Sequence, residues 1–180
     1  MDVLRGINIE DGSLLFRVAM LEDAAGRSLG YVEWPMAAAE SVAAGLDSPA
    51  LVSLAGQYVG ADSFEVRELV LRAAEELGLA RPARVDAIEC LVLIVCSAVL
   101  KDFISLQKAL SIVSDLTDYG ELAWDLYLAF TPIYDWEDLP QYRSDIAVQV
   151  KASATESLNA AGGSLESVIL NLTGRENKNA

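Results

Sequence analysis

Between Pro35 and Asn159 apolar residues recur mostly at three- and four-residue steps, the spacing that gives a helix one buried face. The best-defined segment sets Val66, Leu69, Val70, Ala73 and Leu77 on one side and Arg67, Glu68, Arg72, Glu75 and Glu76 on the other. Asp62 and Glu65 stand at capping-box spacing ahead of it, and Gly78 and Pro82 close it. Upstream, Pro35 suits a first helical position and Gly45 a left-handed stop after Ala44. Ser48 as N-cap with Pro49 in the first turn opens another helix, expected to end near Gly60. The continuous apolar run Cys90–Leu100, between Glu89 and Lys101, predicts a helix over Val85–Lys101 with no polar face, hence buried all round. Further helices are expected over Ser105–Leu116 (Leu106, Ala109, Leu110 and Val113 on one side), Glu121–Phe130 and Gln141–Asn159. Ser167–Leu172 is a short apolar patch suited to docking on the body.

The first 34 residues read differently. Ile7 and Ile9 alternate with polar neighbours, Asp11-Gly12 follows, and Phe16, Val18 and Met20 alternate again, which together suggest a β-hairpin. Leu14, Val18 and Leu21 fit a helical stripe equally well, so the second run is ambiguous. The fold class expected is therefore mainly α: a single-domain bundle of about six helices around a buried central helix, with a small N-terminal β-hairpin. The chain divides into a β element (1–34), a helical bundle (35–160) and a flexible C-terminal tail (161–180) that starts at the joint Ala161-Gly162-Gly163-Ser164.

A chain of 180 residues is long enough for one domain with a real core. Mean hydropathy is +0.31, apolar enough that a partner or a second copy could cover part of the surface. The Cys90–Leu100 run would rise only about 16 Å as a helix, half of what a membrane span requires. Met1-Asp2-Val3-Leu4-Arg5 has no basic block followed by an apolar one, so a cytoplasmic location is expected. Cys90 and Cys96 are about 600° and about 9 Å apart on a helix, which rules out a mutual disulfide and suits two small buried hydrophobes. The chain has no histidine, which excludes Ser-His-Asp and Cys-His catalysis and His-ligated zinc. Thirteen scattered bases against 27 acids leave no cationic track for nucleic acid. No cofactor is expected, because no phosphate-cradling glycine loop or dinucleotide fingerprint is present.

One segment stands out. The 34 residues Ala109–Tyr142 carry seven acids, no Lys or Arg, and seven of the thirteen aromatic residues. Half of the net charge of −14 sits in that stretch. Acids draw a basic partner from a distance and rings anchor it on contact. The contact candidates are Asp118, Glu121, Trp124, Asp125, Tyr134, Asp135, Trp136, Glu137 and Asp138. Asp118, Glu121 and Asp125 share a helical face only if the helix runs through Gly120, so a solvated acidic face is favoured over a hard-cation site. Tyr134–Asp138 lacks the twelve-residue rhythm of a calcium loop, and no carboxylate pair is singled out for glycoside hydrolysis.

Leu46-Asp47-Ser48-Pro49-Ala50-Leu51 with Leu54-Ala55-Gly56, followed by Phe64-Glu65-Val66-Arg67-Glu68-Leu69, resembles a helical pattern recurrent in small, acidic, uncharacterised bacterial proteins. Ile133-Tyr134-Asp135-Trp136-Glu137-Asp138-Leu139-Pro140 is similar to a motif that precedes their last helix. The resemblance covers about half the chain, leaves out the first 34 residues, and implies a helical bundle without catalytic residues to carry over. Proteins of this look include immunity proteins that neutralise co-produced toxins; taken with the acidic–aromatic stretch, the first expectation is a non-catalytic interaction protein with a basic partner. The alternatives are a structural domain that forms a homodimer or larger homo-oligomer, and a carboxylate- or metal-dependent hydrolase built on Asp118, Glu121 and Asp125.

Overall fold

The apolar run Cys90–Leu100 organises the molecule, because a helix without a polar face is stable only when other elements cover every side. In the computed structural model, which describes residues 13–26, 34–57, 63–117, 140–162 and 164–174, this is what happens. The described residues form eight α-helices: α1 (Ser13–Ala25), α2 (Trp34–Ala43), α3 (Pro49–Ala55), α4 (Ser63–Glu76), α5 (Arg84–Leu100), α6 (Leu106–Thr117), α7 (Arg143–Ala160) and α8 (Leu165–Thr173). A 3-10 turn, Pro140–Tyr142, leads into α7. The mainly α class is as expected, and no strand occurs among the described residues.

Helix α5 is the predicted buried helix, with every residue from Cys90 to Val99 out of solvent. Helices α1, α6, α7 and α8 pack around it. Each large side chain so enclosed contributes ~1.5–3 kcal/mol relative to exposure. Helix α7 seats on α5 by Ile146, Val150 and Ala154, a stripe at four-residue steps that leaves its other faces in water. Helix α6 buries Ala109, Ile112, Val113 and Leu116 in the same way.

The N-terminal expectation needs correction. Leu14–Leu21 is not the second arm of a hairpin but part of α1; Ile7, Ile9 and the Asp11-Gly12 turn lie outside the described residues. Helix α1 lies between two apolar cores. Leu14, Leu15, Val18, Ala19, Leu21 and Ala25 join the larger one around α5, whereas Phe16 and Met20 enter a smaller one with α2, α3, α4 and Leu79. A helix buried on two sides has no polar stripe, so its 3.6-residue period vanishes and the alternation Phe16/Val18/Met20 imitates a strand. Ser41 of α2, fully buried, accepts the Phe16 N–H at 3.1 Å and so satisfies a donor near the start of α1. Residues divided off as an N-terminal element thus supply part of the main core.

At the C-terminal end the apolar patch Ser167–Leu172 lies in a helix that docks on the body. Beyond Gly162 the chain forms α8, capped by Ser164, whose Oγ accepts the Ser167 N–H at 3.1 Å. Val168 and Ile169 are buried against α1 and α5, so the body continues through Thr173. Arg17 donates to Thr173 Oγ1 at 2.7 Å, and Ala80 N–H donates to the Thr173 carbonyl at 3.1 Å, tying the end of α8 to α1 and to the α4–α5 connection.

Three helices end in one hydrogen-bond pattern. At the end of α2 the N–H groups of Gly45 and Leu46 reach back to Val42 and Ser41; at the end of α4 those of Gly78 and Leu79 reach Glu75 and Ala74. Both glycines have the positive φ this requires, 98° and 66°. Helix α5 closes identically, Asp102 N–H to Val99 and Phe103 N–H to Ala98, but with Asp102 at φ 56° in the glycine position. Helix α3 ends at Ala55, short of the expected Gly60.

Candidate functional site

All nine contact candidates, Asp118, Glu121, Trp124, Asp125, Tyr134, Asp135, Trp136, Glu137 and Asp138, lie outside the described residues, as does the helix expected over Glu121–Phe130. The frame on either side of them is described. Helix α6 delivers the chain to residue 118 and α7 receives it after the Pro140–Tyr142 turn, and both helices are fixed to α5 by their apolar stripes. Two flanking members of the acidic–aromatic stretch are visible, and both face water: Asp115 on the outer side of α6 and Tyr142, 51% exposed, in the turn.

Among the described residues a cleft of about 230 Å³ opens between α1, the start of α2, α4 and the connection after α4. Met20, Val70 and Leu79 form its apolar floor and Trp34 one wall; Trp34 is held edge-on against Phe16, with ring centroids 5.7 Å apart. Asp23 and Arg81 pair across the rim at 2.8 Å, each about half exposed, and Glu75 stands beside them. A half-exposed pair of this kind contributes little, about 0–1 kcal/mol, and closes one side of the cleft without supplying a nucleophile.

Among the described residues, one polar group forms a cap shared by two helices. Ser48 Oγ accepts the Leu51 N–H at 3.1 Å, the expected N-cap of α3, and donates to Glu76 Oε2 at 2.6 Å. The Ala50 N–H donates to the same oxygen at 3.0 Å. Glu76 is the last residue of α4, so its carboxylate sits against the positive end of α3. The Ser48 hydrogen bond, then the Ala50 N–H, hold its carboxyl below the ordinary value of 4.5; desolvation opposes them, and nearby Arg72 adds the smallest lowering effect. Neither Ser48 nor Glu76 is in a candidate set read from sequence. The signal for Ser48 as a cap was present, but its tertiary partner 28 residues away has no local signature.

No protein-family model, curated protein or solved structure matches this chain.

The remaining chemistry is quiet. Cys90 and Cys96 are free and buried, and desolvation pushes both thiols up to about 12, as suits small core residues rather than nucleophiles. Among the described residues no cluster of three Cys, Asp or Glu side chains is placed to hold a metal ion. No helix in the described residues is long and apolar enough to cross a membrane.

Proposed function

We propose that this protein is a non-catalytic interaction protein that binds a basic protein partner through the acidic–aromatic segment, in the manner of an immunity or inhibitor protein covering a basic effector. The observation that carries this reading is the composition of Ala109–Tyr142: seven acids and seven rings without one Lys or Arg. Such a segment repels itself, so a cationic surface that neutralises it gains both charge attraction and ring burial on docking. The frame supports the reading, since both ends of the segment are anchored on α5 and its described flanks, Asp115 and Tyr142, present an acid and a ring to water. An anchored segment loses less conformational freedom on binding than a free one.

The test uses a lysine-rich protein as probe and measures affinity at low and high salt. Affinity should fall steeply as salt rises, and Trp136→Ala should weaken binding by about tenfold or more, beyond the loss from Glu137→Gln or Asp138→Asn alone. Binding that ignores both salt and Trp136 overturns the proposal.

A further inference from the structure

The cleft between α1 and α4 combines an apolar interior with an unevenly charged lining. Helix α4 lines it with two adjacent i, i+4 pairs, Val70/Ala74 and Leu71/Glu75, and α1 with Met20 and Asp23, one turn apart. Val70, Ala74 and Met20 belong to the smaller core, whereas Leu71 is 54% exposed, so apolar surface runs from the floor out to the mouth. The Trp34 ring adds an aromatic wall. The volume of about 230 Å³ lies just below the ~300–1,000 Å³ typical of pockets for drug-sized molecules. That limits an occupant to one ring or short chain with a single polar end.

We propose that this cleft binds a small organic monocation, an apolar ring or short chain that ends in an ammonium group. Three charged side chains line the cleft, Asp23, Glu75 and Arg81, and they are not equivalent. Arg81 is paired with Asp23 at 2.8 Å, whereas among the described residues no cation pairs with Glu75. An anion would have to take Arg81 from Asp23 and sit among two carboxylates. A neutral molecule of the same shape would displace water from Glu75 without replacing its hydrogen bonds. An ammonium group at Glu75 supplies the missing countercharge while its apolar body covers Met20 and Val70 beside Trp34. The net charge of −14 draws cations to the chain in the same sense. The site uses no residue of the acidic–aromatic segment, so it stands or falls separately from the basic-partner reading.

The experiment is an NMR titration of the full chain at low salt with probes of one shape and three charges: 2-phenylethylammonium, 2-phenylethanol and phenylacetate. The ammonium probe should shift the Trp34 indole signal, identified by its loss in Trp34→Phe, together with the amides of Leu71 and Glu75, and should saturate in the millimolar range or below. 2-Phenylethanol should bind about threefold or more weakly, and phenylacetate more weakly still. Glu75→Gln should bring the ammonium probe down to the affinity of the alcohol. Leu71→Ala should weaken both alike, because it removes apolar contact common to the two. Leu71 and Glu75 are exposed, so circular dichroism should show both variants as helical as wild type. Absence of a saturable shift at the cleft overturns the proposal. So does equal affinity for the ammonium and the alcohol, ammonium binding that ignores Glu75→Gln, or shifts confined to Trp124 and Trp136, which would assign the cation to the acidic segment instead.

Discussion

Replacing Ser48 by alanine tests whether α3 and α4 share one cap. The substitution removes the acceptor for the Leu51 N–H and the shorter of the two hydrogen bonds to Glu76, leaving only the Ala50 N–H on that carboxylate. Loss of a serine N-cap costs ~0.5–2 kcal/mol. Ser48 is 1% exposed, so water cannot replace the hydroxyl without opening the α3–α4 junction. The upper half of the range, ~1–2 kcal/mol, is therefore expected. At ~2–4 °C per kcal/mol for a chain of this length, the melting temperature should fall by ~2–8 °C. Glu76 adds a pH signature. Its folded pKa is depressed, so its stabilisation is complete above the ordinary value of 4.5 and is lost as pH falls below that value through the folded pKa. Glu76→Gln keeps the shape and an acceptor oxygen but removes the charge. The stability gap between wild type and Glu76→Gln should accordingly be present at neutral pH and shrink in acid. In a Ser48→Ala background that pH dependence should flatten, because the Ser48 hydroxyl is the largest cause of the depressed pKa. Urea unfolding of the four proteins from neutral to acid pH measures all of this. Strict additivity of the two substitutions, or a gap that ignores pH, would refute a shared cap.

At the end of α5, Asp102→Gly should be at least as stable as wild type. Asp102→Ala should be less stable than the glycine variant by ~1 kcal/mol, since Cβ disfavours the left-handed conformation and alanine lacks the local hydrogen bonding that lets aspartate tolerate it. The 2.6 Å ion pair with Lys151 that either change removes is solvent-exposed and contributes at most ~1 kcal/mol. Thermal denaturation ranks the three proteins, and alanine above glycine would contradict the strain argument. Cys90 and Cys96 should resist thiol reagents at neutral pH in the native protein and label together on unfolding, because both are buried with pKa pushed up to about 12. Rapid labelling of the folded chain would show that α5 is not enclosed as described.

Local signals determined what local physics governs. Ser48-Pro49 as a helix start, Gly45 and Gly78 as left-handed stops, and the two-sided pattern of α4 each express a preference of a few adjacent residues, and each is read directly from sequence. The run Cys90–Leu100 announced its burial because nothing polar interrupts it. Tertiary structure decided what depends on distant neighbours. Leu14–Leu21 is helical because two cores enclose it, and enclosure on both sides erases the periodicity that would have marked it as a helix. Asp102 occupies a glycine position because the end of α5 imposes the turn there, and Glu76 caps a helix that begins 28 residues earlier. For the site, sequence supplied the acids and rings of Ala109–Tyr142, since charge and residue type are local facts. Packing on α5 decided where that segment is held at its two ends, because the seating of α6 and α7 depends on apolar side chains far apart in the chain.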